Sequence, residues 1–81
     1  MTPLRDMKVT ERIGRNIRVM RTERAMTQES LADLAALDAT YISGIELGKH
    51  NITLATLLKI AKALKCDISV LLRGVKTDFS K

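Results

Sequence analysis

The sequence predicts an all-α chain, five helices forming a single domain over residues 1–81, and three observations carry that prediction. Hydrophobic residues make up 46% of the chain but aromatic ones only 2%, with no Trp; a core of Leu, Ile, Val and Ala suits packed helices better than a sheet. Apolar residues recur at helical spacing, as in Val9, Ile13, Ile17 and Met20. Thr27, Asp38, Thr53 and Asp67 each stand just ahead of such a run, where a short oxygen-bearing side chain accepts from the first-turn amides.

The first helix takes its apolar face from Val9, Ile13, Ile17 and Met20, with either Thr10 as its cap or an earlier start, and charged residues on the other face up to Arg24. Thr27 caps the second, Gln28 to Ala35, whose buried side is expected to be Leu31, Ala32, Leu34 and Ala35. After the brief turn at Ala36 and Leu37, Asp38 caps the third, with Ile42 and Ile45 facing inward and Gly48 as a left-handed stop. Thr53 caps the fourth, striped by Leu54, Leu57, Ala61 and Leu64 with Leu58 and Ile60 at the margins. Asp67 caps a short fifth helix bearing Ile68, Leu71 and Leu72. The folded part then covers about residues 9–73, with short tails at 1–6 and 75–81.

Charge narrows the function. The net charge is +5, unevenly spread: residues 1–24 carry seven bases against three acids, residues 25–48 carry four acids (Glu29, Asp33, Asp38, Glu46) and no base, and residues 49–81 are basic again. Such a chain attracts polyanions, although its acidic middle needs an explanation. One Cys and one His exclude a disulfide framework and do not make a four-ligand zinc site, so no metal and no cofactor is expected. With no phosphate-cradling glycine loop and no set of acid, base and nucleophile, an enzyme is not expected. Scarce aromatics argue against single-stranded nucleic acid. No apolar run reaches the ~20 residues of a membrane span, and no signal-peptide core precedes residue 24, which gives a cytoplasmic expectation.

The second and third helices carry the functional information. Their connection is too short for antiparallel packing, so they are expected to cross steeply as a helix-turn-helix over about residues 27–47. Ala32 sits where the two touch, Leu37 plugs the corner, and Ile42 and Ile45 anchor the third helix. Ala39, Thr40, Ser43 and Gly44 are left on a small, polar outer face that fits a major groove about 12 Å wide. Gly44 inside a helix is expected to serve a close approach, to DNA or to the second helix.

The run Thr27-Gln28-Glu29-Ser30-Leu31-Ala32, then Tyr41-Ile42-Ser43-Gly44-Ile45-Glu46 and Gly48-Lys49, resembles the Cro/lambda-repressor (XRE) helix-turn-helix family. The stretch Asp38 to Glu46 is similar to controller proteins of restriction–modification systems. The resemblance covers about residues 9–73 and implies a five-helix lambda-repressor-like domain acting as a homodimer on a two-fold DNA operator. It further implies a phosphate contact for Gln28, base-edge contacts for Ala39, Thr40 and Ser43, backbone contacts for Lys49, His50 and Asn51, and an internal pair between Arg21 and Glu46. Tyr41 is expected as a core residue whose hydroxyl reaches a phosphate. The sequence departs from the family at Ala25 and Ala36, where glycine is usual, at Ala39, where controllers often carry Arg, and at Leu47.

Apolar residues off the core stripes give a candidate dimer surface at Leu58, Val70 and Leu71. Binding can repress by covering a promoter or activate by touching RNA polymerase, and the sequence does not choose between these. A different class, an antitoxin or protein-binding adaptor on the same fold, stays open at this point.

Overall fold

Helix starts follow the capping residues of the sequence. The computed structural model describes residues 8–77, which form α1 (Val9–Glu23), α2 (Gln28–Ala35), α3 (Ala39–Glu46), α4 (Leu54–Leu64) and α5 (Ile68–Leu71). The tail expected at 1–6 lies outside the described residues, as does the part of the other tail beyond residue 77. Thr27 Oγ1 accepts from the Ser30 amide at 3.0 Å while Ser30 Oγ accepts from the Thr27 amide at 3.0 Å, a reciprocal box that satisfies two amides without helical partners. Thr53 Oγ1 accepts from the Thr56 amide at 3.1 Å. Asp38 and Asp67 hold the cap positions of α3 and α5 without a side-chain cap bond.

Thr10 is not the cap of α1. The cap is Lys8 and the helix begins at Val9, two residues before a Thr10 cap would start it, with Glu11 accepting from the Lys8 amide at 3.1 Å. Thr10 Oγ1 donates instead to the carbonyl of Gly48 at 3.0 Å, tying the start of α1 to the end of α3.

Four helices end in the same way, with a left-handed residue whose amide, and that of its successor, fold back onto the last carbonyls. At α2 the Leu37 amide donates to the Ala32 carbonyl at 2.8 Å, and at α3 the Lys49 amide donates to that of Gly44 at 2.9 Å. This closure needs a positive φ. Gly48 supplies it freely at 77°, but Ala25 (54°), Ala36 (58°) and Lys65 (56°) adopt it with a Cβ. The turns at Ala25 and Ala36 therefore take the left-handed conformation that glycine adopts freely and carry the strain of a left-handed L-residue.

Ile17, Leu31, Ile42, Ile45, Ile60, Leu64 and Leu71 are wholly enclosed, joined by Ile13, Ala32, Ala35, Leu57 and Ala61. Two expected core residues face water: Leu34 and Leu54 are each 66% exposed. On α2 the buried arc runs through Leu31, Ala32 and Ala35, and Leu34 falls outside it. On α4 the stripe centres on Ile60, placed at a margin by the sequence but fully buried. Leu72, expected inside, is 38% exposed.

Two side chains close helix ends far from them in sequence. Asn16 Nδ2 donates to the carbonyls of Leu71 and Arg73, both at 2.9 Å, and Arg24 Nε donates to that of Leu64 at 2.7 Å. They satisfy the terminal carbonyls of α5 and α4.

Replacing Ala25 or Ala36 by glycine should stabilise the fold by roughly 0.5–1 kcal/mol each, because relief of the left-handed strain outweighs the added freedom of the unfolded chain. Thermal unfolding should show a rise of about 2–8 °C for each change. An unchanged or lower midpoint would mean that these turns carry no strain.

Candidate nucleic-acid interface

Helix α3 is gripped from α1 along its C-terminal half. Gly14 of α1 is buried there, and a methyl group in its place would stand 2.8 Å from the carbonyl oxygen of Glu46 and closer still to that of Ile45. No side chain fits, so the backbone of α1 lies directly on the end of α3. The sequence reading did not mark Gly14; its signal was a helix-disfavouring residue within the best amphipathic run of the chain.

Glu46 completes the grip. Its Oε2 accepts from Arg21 Nε at 2.7 Å and its Oε1 from Arg21 Nη2 at 3.0 Å, a bidentate pair with side chains 12% (Arg21) and 3% (Glu46) exposed. Gln28 Nε2 donates to Oε1 at 3.0 Å, and Arg21 Nη1 donates to the Met26 carbonyl at 2.7 Å. One carboxylate thus joins α1, α2 and α3. The hydrogen bonds to Glu46 push the Arg21 pKa above its usual value against partial burial, so the cation is permanent. The pair between Arg21 and Glu46 stands where the family resemblance placed it.

Held this way, α3 buries Ile42 and Ile45 completely and turns Thr40 outward to solvent. Ser43 is half-buried on the same side, one turn along. It lines a cleft of about 250 Å³ with Arg18, Arg21, Gln28, Glu46 and Leu47. Leu47 extends this edge and is 59% exposed. Lys49, His50 and Asn51 follow in an exposed loop. The structure therefore brings Gln28 and Ser43 together in one cleft, with Thr40 one turn before Ser43 on α3, and adds Arg18 of α1 to that cleft.

Three expectations change here. Ala39 is half-buried and packs against the core, so it does not stand clear of the domain as Thr40 does, while Tyr41 packs against the core as its sequence reading expects. The space over Gly44 is filled by His50, whose Nε2 would lie 2.5 Å from an added methyl group, so this glycine serves neither an open approach to DNA nor contact with α2. Leu71, assigned to the dimer surface, has no exposed area; α5 turns it into the core against α1 and α4, leaving Val70 half-buried and Leu72 more exposed at the surface.

No group of three or more His, Cys, Asp or Glu side chains able to hold a metal occurs among the described residues. Burial raises the Cys66 thiol pKa, only partly offset by Arg24 and Arg73, which keeps it a neutral thiol. No described helix is long and apolar enough to cross a membrane.

A helix-turn-helix family model matches residues 17–71, a stretch that begins within α1 and ends with α5. Control protein C.SmaI from Serratia marcescens is 36% identical over 74 residues, covering 89% of this chain and 88% of that protein. Among solved structures, the restriction–modification controller C.AhdI from Aeromonas hydrophila superposes with a TM-score of 0.75 at 37% identity, over 76% of this chain and 94% of that one. The controller C.Esp1396I, seen as a tetramer on its natural 35-base-pair operator, superposes with a TM-score of 0.74 at 38% identity, over 80% and 86% of the two chains.

Removing the shared carboxylate with Glu46→Ala should destabilise the fold by about 3 kcal/mol, because it leaves the enclosed Arg21 cation unpaired. Replacing both partners, Arg21→Met with Glu46→Leu, should recover most of that loss. Urea unfolding midpoints check both; equal losses for the single and double variants would contradict the clamp.

Proposed function

The chain belongs to the helix-turn-helix family and is a DNA-binding transcriptional regulator, and from that premise we propose that it acts as a homodimeric restriction–modification controller on a two-fold operator. The observation that carries this reading is the outward polar face of α3, held by its buried C-terminal half and flanked by cationic side chains. Its work is binding, with no covalent step, in the cytoplasm where the operator lies.

In this reading α3 enters the major groove, with Thr40 and Ser43 meeting base edges and the Ala39 methyl group, at the margin, touching a thymine methyl. Phosphates are met by Gln28 and the free first-turn amides of α2, by Lys49 and Asn51 beyond α3, and by the Tyr41 hydroxyl. Arg18, beside Gln28 in the cleft, adds positive potential at the same edge. No Arg or Lys reaches a base from α3 itself, so much of the specificity comes from the shape and bending of the duplex.

Pairing of two copies about a two-fold axis would set two α3 helices about 34 Å apart, one turn of DNA. Leu58, 50% exposed on α4, and Val70 on α5 supply the apolar surface for it, with Leu72 in the place first given to Leu71. The C.Esp1396I complex, a tetramer on its operator, supports oligomeric binding. Contact with RNA polymerase is a further role open to the DNA-bound dimer.

Selection from a random duplex pool should return a two-fold motif, and affinity for it should fall by about 10³–10⁵ between 50 and 200 mM salt if six to ten phosphates are neutralised. Thr40→Ala with Ser43→Ala should weaken the selected duplex far more than random DNA. Equal weakening on both would move base reading away from α3. Sedimentation at tens of micromolar should give a dimer for the unaltered chain and a monomer for Leu58→Glu with Val70→Glu; a monomer for both would reject the pairing.

A further inference from the structure

The imidazole of His50 occupies the place where a side chain of α3 would otherwise be. A methyl group on Gly44 would stand 2.5 Å from His50 Nε2 and 2.7 Å from Cδ2, so the ring rests on the bare Cα. The same ring meets Tyr41 edge-on, with centroids 5.0 Å apart and planes inclined by 61°, an arrangement that sets the positive edge of one ring on the π face of the other. The backbone beneath is fixed, because the Lys49 and Gly48 amides donate to the Gly44 and Ile45 carbonyls, both at 2.9 Å. His50 therefore folds back over the last turn of α3 and bridges Gly44 to Tyr41, residues three apart on one helix face. Glycine is disfavoured inside a helix as short as this one, and the seat for the ring is what it provides.

We propose that His50 is a positioning residue for Tyr41. Seated on Gly44, it fixes the tilt of the phenol ring and joins the 49–51 loop to α3, so that the helix and the loop meet the duplex as one rigid surface. The inference rests on the DNA-binding reading above and deepens it: His50 acts through Tyr41 instead of touching a phosphate itself. What recognition requires at position 50 is then a flat ring, and at position 44 the absence of a side chain. Charge at position 50 is not what the site uses.

The test measures affinity for the selected duplex, the salt slope and thermal stability for His50→Ala, His50→Phe, Gly44→Ala, Tyr41→Ala and the His50→Ala/Tyr41→Ala pair. Gly44→Ala should fold at least as stably as the parent, because it improves helix propensity and the atoms it displaces are the far end of a flexible side chain. Both Gly44→Ala and His50→Ala should bind about three- to tenfold more weakly, and His50→Ala should add little once Tyr41 is gone, the non-additivity of coupled neighbours. His50→Phe should restore binding, and the slope of log K against log salt should stay unchanged across the position-50 variants. The Tyr41 ring-proton shifts in the free protein should move in His50→Ala and return toward parent values in His50→Phe.

Additive losses in the double variant would overturn the proposal, as would a slope smaller by about one without rescue by Phe, the mark of a direct phosphate contact. Unchanged affinity in both His50→Ala and Gly44→Ala would also overturn it and leave His50 a solvated loop residue. Failure of the unaltered chain to select any duplex would sink the DNA-binding reading instead, while the Tyr41 ring shifts would still report on the seat.

Discussion

Almost no water reaches the Glu46 carboxylate, so its charge must be met from within the protein, and the orientation of α3 depends on the groups that meet it. A carboxylate removed from water is costly unless paired and hydrogen-bonded. Arg21 supplies a fork whose two N–H groups match the two oxygens, and a planar fork fixes direction as well as distance. Gln28 adds a third bond from the start of α2. A buried ion pair of this kind contributes less to net stability than to geometry. Here the geometry is what binding needs, because the bonds converge on the end of the helix whose other end must project. Gly14 and Thr10 act on the same segment from α1, one by letting backbones touch and one by a bond to Gly48. Thr40, in the first turn of α3, is thereby supported from behind without being covered.

The same arrangement accounts for much of the acidic middle of the chain. Of its four carboxylates, Glu46 is neutralised by Arg21 at the edge of the proposed DNA face. Glu29, Asp33 and Asp38 are exposed: the first two lie on the outside of α2, and Asp38 stands at the start of α3, where a negative group complements the helix dipole. Cations from the basic flanks come back to that face through the fold, with Arg18 in the cleft beside Gln28 and Lys49 just past α3. A charge count along the sequence sets acids at the centre of the binding unit. Folding pairs one of them and surrounds the unit with bases.

How much of this was legible in the sequence depends on the range of the interaction concerned. Capping is local, so Thr27, Thr53 and the stop at Gly48 were readable, and so were the two Ile residues that anchor α3. Burial on short helices is not local. In eight residues of α2 the apolar set admits more than one arc, and only the direction from which α4 approaches decides for Ala35 and against Leu34. Leu71 and Leu72 are adjacent, and nothing in a four-residue helix says which faces inward. Bonds across tens of residues were illegible, which is why Thr10 read as a cap, and why Asn16 and Arg24 did not read as closures of α5 and α4. The pair of Arg21 with Glu46 was reached through family resemblance, not through spacing. Gly44 was readable as an anomaly, but its occupant, His50, comes from beyond the helix end and emerges only in three dimensions.

The central claim is that the outward side of α3, steadied from behind by the Glu46 network, lies against base pairs. Intermolecular nuclear Overhauser contacts between the labelled chain and its selected duplex test it most directly. The account predicts contacts from the Thr40 methyl group and the Ser43 methylene group to major-groove base protons, with Val70 and the rest of α5 silent. Contacts confined to α4 and α5, with α3 silent, would contradict it.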